Sequence, residues 1–153
     1  MLTNLYELHC VRCDQINDSI LPLFQKISIL NLSECQNIED VSCLSQVKTL
    51  NLSRCSNVSN VSSLGHVKEL NLSECWKIKE VHQLQWNEKL NLSYCQGINC
   101  DDIPYLKDIK ELNLAYCTQV MDVSCLVGVK VLYLHGNPQI KDLSKLSHVQ
   151  IFK

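Results

Sequence analysis

The sequence predicts an α/β solenoid, a coil in which one short strand recurs in every turn and about seven such strands line up as a parallel sheet. Two observations carry that prediction. The phrase LNLSEC occurs at Leu30–Cys35 and again at Leu70–Cys75, with LNLSRC at Leu50–Cys55 and LNLSYC at Leu90–Cys95. Taking the cysteine as reference, one column runs Cys13, Cys35, Cys55, Cys75, Cys95, Cys117 and Asn137, at spacings of 20 or 22 residues. Repetition at a period this short belongs to stacked-unit architectures.

Each part of the unit has a physical reason. Five places before the reference stands leucine in every unit, from Leu8 and Leu30 to Leu112 and Leu132; three before stands Cys10 and then Leu32, Leu52, Leu72, Leu92, Leu114 and Leu134. Inward residues two apart, with polar neighbours, are the alternation of a strand buried on one face. An aliphatic residue follows three places after the reference, as at Ile38, Val58 and Ile78. A second phrase follows: DVSCL at Asp40–Leu44 and Asp122–Leu126, NVSSL at Asn60–Leu64, DLSKL at Asp142–Leu146. Val41, Leu44 and Val47 are three apart, a period that suits a 3₁₀ turn capped by Asp or Ser. Pro22 and Pro104 fall at the start of the corresponding turns of the 22-residue units, where a missing N–H does little harm. A unit of this length leaves no room for a crossover helix. The seven units, partial at both ends, fill residues 1–153 as one domain.

The pattern LxLxx(C/N)xxI with DVSxLxxVxxL resembles the leucine-rich repeat, in the short class of the internalins, over essentially the whole chain. The resemblance implies a right-handed superhelix with a concave parallel sheet and a narrow convex side of short turns. It also implies that the reference side chain points inward and bonds neighbouring backbone. The chain departs from the family in carrying cysteine where asparagine is commoner, and in placing Asn87 where Val47 and Val67 stand, with Trp86 expected to turn inward in compensation.

Ten cysteines admit three readings: buried thiols, disulfides or metal ligands. Stacked strands lie about 4.8 Å apart, whereas bonded cysteines bring their Cβ atoms to about 3.8 Å, so the column favours free thiols. Cysteine is small, apolar and a weak donor, and fits a buried slot. CVRC at Cys10–Cys13 has the spacing of half a zinc or redox motif, but its two cysteines occupy the regular inward columns and no second CxxC exists. No cofactor and no metal is expected.

The outward columns form the expected binding face. Four before the reference run His9, Asn31, Asn51, Asn71, Asn91, Asn113 and Tyr133; two before run Val11, four serines, Ala115 and His135. The uniform Asn and Ser rows read as a structural device, with amides bonding along the stack; a lattice for a repetitive polymer is the alternative. One before the reference run Arg12, Glu34, Arg54, Glu74, Tyr94, Tyr116 and Gly136, an alternation of charge that ends in aromatics. Trp76, Tyr94, Tyr116, Tyr133 and His135 are the candidate contact residues, since exposed Trp and Tyr dominate interfaces; single exposed aromatics are also ordinary.

A net charge of −2 supplies no field for nucleic acid or anionic membrane. No run approaches a membrane span, and the start MLTNLYELHC lacks the charge and apolar run of a signal peptide. Four NLS sequons on adjacent strands could not all carry glycans, and with many thiols this points to a reducing, cytoplasmic setting, a bacterial surface being the alternative. No phosphate loop, HExxH or GxSxG is present, and His9 and His135 lie six strand spacings apart. The expected function is a non-enzymatic module that binds a protein of unknown identity through its concave face. The alternatives are the recognition arm of a larger protein, for example a ubiquitin-ligase receptor, and an enzyme with an unrecognised site. Leu2 with Leu5 and Leu8, and Leu146 with Val149 and Phe152, repeat half-units at the two ends without polar caps. End-to-end self-association is the expected consequence.

Overall fold

Leucines alternating with polar residues bury one side of each strand, and stacking buries the turns between them. A computed structural model describes residues 5–153; the expectation at Leu2 lies outside them. Eight parallel strands stand in chain order: β1 (Glu7–His9), β2 (Ile29–Asn31), β3 (Thr49–Asn51), β4 (Glu69–Asn71), β5 (Lys89–Asn91), β6 (Glu111–Asn113), β7 (Val131–Tyr133) and β8 (Gln150–Phe152). From β2 to β7 the central leucine is at most 3% exposed, and these leucines pair with one another from turn to turn. One core runs the length of the stack.

The eighth strand forms from the partial last unit, beside the seven of the full repeats. One register differs from the expected one. The spacing from Val149 puts Phe152 in the leucine column, but Ile151 pairs with Leu132 and Phe152 with Tyr133. The last turn is one residue short, and a one-residue slip in a strand moves a side chain to the opposite face. Phe152 therefore stands outward and stacks on Tyr133, with ring centroids 4.9 Å apart.

On the opposite side lie 3₁₀ helices at Leu21–Phe24, Ser42–Leu44, Ser62–His66, His82–Trp86, Ile103–Leu106 and Ser144–Leu146. Each of the four repeated phrases starts with an Asp or Asn whose Oδ1 accepts the N–H two residues on, as Asp40 does from Ser42 at 2.9 Å. These backbone bonds, first among the causes, hold the Asp40, Asp122 and Asp142 carboxyls below their ordinary range. In Asp122–Leu126 the helix is not completed, although Leu126 N–H still donates to Val123 O at 3.0 Å.

Trp86 does not turn inward; it is 68% exposed, and Asn87 itself is buried. The Asn87 Nδ2 group donates to Leu64 O at 3.0 Å and to Val67 O, while its Oδ1 is buried with no donor. Two carbonyls of the preceding turn thus hold an amide in a valine column. A buried acceptor left unpaired costs about 1–3 kcal/mol. Asn87→Val is therefore expected to raise stability by about 1 kcal/mol, the lost amide bonds offsetting part of the gain. Urea denaturation checks this through the midpoint, with an unchanged slope.

Candidate protein-binding surface

After each strand the chain bends through a residue with φ near +60°. Arg12, Glu34, Arg54, Glu74, Tyr94 and Tyr116 all have φ between 52° and 64°, and Gly136 has 70°. Six non-glycine residues in this region carry strain of about 1–2 kcal/mol each. Stacking holds them there: the N–H of Glu34 donates to Ser53 O and that of Tyr116 to His135 O, both at 2.8 Å, with equivalent bonds in the turns between. The bend is invisible in the residues themselves. Gly136, the one glycine of that column, was its only signal in the sequence.

This bend presents its residues as one row along the edge of the sheet. Arg12 Nε donates to Glu34 at 2.8 Å, Arg54 Nη1 lies 3.8 Å from Glu34, and Arg54 Nε donates to Glu74 at 2.9 Å. The row then becomes aromatic. Tyr94 and Tyr116 stack with centroids 4.3 Å apart and planes 9° from parallel. The Tyr116 ring lies across Gly136, where an added Cβ would come within 2.3 Å of it. Desolvation, with Tyr116 next as a cause, raises the Tyr94 phenol above its ordinary range.

The outward sheet face adjoins the row as an open groove of about 310 Å³, lined by β3 to β6 with Tyr133 of β7 at one end. Asn31, Asn51, Asn71, Asn91 and Asn113 line up here, but not as a ladder of amides. Each Oδ1 accepts the backbone N–H two residues on, at 2.9–3.0 Å, fixing the bend of its own turn. The local bond wins because the bend brings that N–H to the amide, which a flat strand would not. The five Nδ2 groups are left without a protein partner among the described residues. Within the groove Lys89 pairs with Glu69 at 3.1 Å, and Tyr133 OH donates to Glu111 at 3.5 Å.

The predicted contact residues thus fall into separate groups. Tyr94 and Tyr116 form the stack, and Tyr133 joins the outward Phe152. His135 is exposed beside Tyr133 and Gly136. Trp76 is 62% exposed and lies instead by Glu34, Gln36, Arg54, Ser56 and Glu74, over the charged half of the row.

Behind the row lies the reference column. Cys35, Cys55, Cys75, Cys95 and Cys117 are fully buried and unpaired. Each thiol donates to a carbonyl of the preceding turn at 3.0–3.1 Å: Cys10 O for Cys35, then Leu32, Leu52, Leu72 and Leu92 O. Asn137 makes the same bond to Leu114 O at 2.8 Å through Nδ2. Cysteine therefore does the work of the amide in a drier and smaller slot. Cys13, at the head of the column, is only half-buried.

The architecture agrees with solved structures. An internalin, InlF, from Listeria monocytogenes superposes with a TM-score of 0.77 at 22% identity over 99% of this chain. The fold is a leucine-rich-repeat solenoid. The solenoid spans about half of that structure, 48% of its length. The functional domain of L. monocytogenes InlJ, described as including a cysteine ladder, matches 99% of the solenoid and 44% of its own chain, at 17% identity and TM-score 0.52. The yeast Rad7 and Elc1 complex provides a match over 90% of the solenoid and 44% of the other chain, at 15% identity and TM-score 0.71. No protein-family model and no curated sequence matches the solenoid. No helix among the described residues is long and apolar enough to cross a membrane.

Burial sorts the thiols by reactivity. Under native, reducing conditions an alkylating reagent is expected to modify exposed Cys100 first and the half-buried Cys43 and Cys125 next, leaving Cys35, Cys55, Cys75, Cys95 and Cys117 unmodified until the protein unfolds. Peptide mass spectrometry reads this directly. Labelling of the buried five at the rate of Cys100 would contradict the ladder.

Proposed function

We propose that the solenoid is a non-enzymatic protein-binding module whose partner lies along the groove and over the Tyr94–Tyr116 edge. The stacked tyrosine pair carries this reading: two large rings, 42% and 41% exposed, held rigid by each other and by Gly136, directly beside an open polar groove. Aromatic anchors of low conformational freedom are what interface hot spots use. The unpaired Asn Nδ2 groups favour a partner segment rich in acceptors, such as backbone carbonyls or carboxylates. The protein complex among the structural neighbours supports protein binding in general. Because the solenoid spans about half of the InlF structure, a recognition arm within a larger protein is the second reading. The ten unpaired thiols support a reducing compartment.

Photo-crosslinking tests the face. A photoreactive residue at Asn71 or His135 is expected to crosslink the partner, and one at Ser45 on the opposite side is not. Equal crosslinking from both sides would rule out the groove.

A further inference from the structure

The first turn differs from the others in its chemistry. Its two inward positions at the ends of the bend are both thiols, Cys10 and Cys13, where the next turn has Leu32 and Cys35. Register explains why these positions are three apart; it does not explain a second thiol in the leucine column. Both cysteines are half-buried and unpaired, whereas Leu32 and Cys35 are fully buried.

The bend itself suits a bond between them. Residues 11 and 12 form the corner, with Arg12 at φ 52°. A positive φ at the third position is that of a type II turn, which keeps its first and fourth Cα atoms within about 7 Å. A disulfide spans Cα separations of about 4.4–6.8 Å. In the later turns the residues at both ends of the same bend reach the core, so both side chains leave the turn on its inward side. Burial, and then the neighbouring Cys13, push the Cys10 thiol up from its ordinary range, which sets the two sulfurs near one another but lowers the thiolate fraction of Cys10. Cys35 competes poorly for either sulfur, since its thiol is committed to Cys10 O at 3.0 Å. No group of three or more metal-ligating side chains occurs among the described residues, so the pair is not part of a larger ligand set.

We propose that Cys10 and Cys13 are a redox-active dithiol that closes to an intramolecular disulfide by exchange with a small disulfide such as oxidised glutathione. One cysteine, as thiolate, attacks a glutathione sulfur; the glutathione S–S bond breaks and one glutathione leaves as thiolate, which takes up a proton. The second cysteine, losing its proton to solvent, attacks the mixed disulfide and releases the second glutathione. Two thiols and one oxidised glutathione become one protein disulfide and two reduced glutathiones. Closure locks the bend at Arg12, from which the ion-pair row begins, and leaves the carbonyl of Cys10 to the Cys35 thiol.

The test uses the whole chain in a series of glutathione redox buffers, with acid quench, alkylation and tryptic mass spectrometry. Trypsin cuts between Arg12 and Cys13, so closure appears as peptides 1–12 and 13–26 joined by a disulfide. The folded protein is expected to close with an equilibrium constant about tenfold or more above that of the same chain in urea, because the turn is already formed. Cys10→Leu, which restores the residue of the other turns, should fold and melt at one temperature in reduced and oxidised buffer, whereas the wild type melts higher when oxidised. The proposal is overturned if the folded constant is no larger than the unfolded one, or if oxidation yields only glutathione adducts or links to other cysteines.

Discussion

Raising the pH above 9 is expected to unfold the solenoid cooperatively, well before pH 12. Burial, the largest cause, pushes the Cys55, Cys75, Cys95 and Cys117 thiols up from 9.0 to about 12 in the folded protein. Below pH 9 both folded and unfolded chains keep these protons, and the contribution to stability is complete. Between pH 9 and 12 the unfolded chain releases protons that the folded one retains, so stability falls as pH rises. The loss is about 1.4 kcal/mol per thiol per pH unit, or about 5 kcal/mol per unit for the four together. A domain in the lower half of the usual range, about 5–10 kcal/mol in all, then reaches its midpoint at about pH 10–11. Cys75→Asn supplies the same donor that Asn137 uses and removes one titrating group; its midpoint should move upward. Circular dichroism against pH measures both proteins, and coincident curves would mean that the ladder does not control alkaline stability.

The repeat was legible because one leucine column recurs without exception through seven units and one cysteine column through six of them, with Asn137 in the seventh, and a parallel stack is the arrangement that buries both. What escaped the sequence reading was decided between turns or within a single residue's backbone. The left-handed bend at Glu34 or Tyr94 exists because inter-turn hydrogen bonds hold it, and neither residue type announces it. Ile151 and Phe152 are adjacent apolar residues, and only the shortened last turn decides which faces inward. Asn31 and its equivalents bond locally because the bend brings an N–H within reach, a geometry absent from a flat ladder. The tyrosine stack was visible as a column, but its support by Gly136 required the bend to be known.

Replacing both stacked tyrosines is expected to weaken partner binding strongly while leaving the fold intact. Hot-spot aromatics contribute about 2 kcal/mol or more each on truncation. Because the rings support one another, the double substitution should cost about 2–4 kcal/mol, or roughly 30- to 1,000-fold in affinity. The single substitutions should be non-additive, with coupling of about 1 kcal/mol. Alanine keeps a Cβ at the left-handed positions, so Tyr94→Ala and Tyr116→Ala leave the strain of the bend as it is. Glycine at the same sites relaxes the bend and should stabilise the solenoid slightly while losing binding equally. A loss caused by the bend would separate the two sets of variants; a loss caused by the rings would not.

Affinity capture from the source cells, with the wild-type chain and the Tyr94→Ala/Tyr116→Ala double variant as parallel baits, tests the proposed binding role most directly. Both baits should show the same thermal transition. The wild type should retain a discrete set of proteins that the double variant does not, and introducing a charge on the opposite side with Ser45→Glu should leave that set unchanged. Recovery of the same proteins by wild type and double variant alike would contradict the placement of the binding site on this edge.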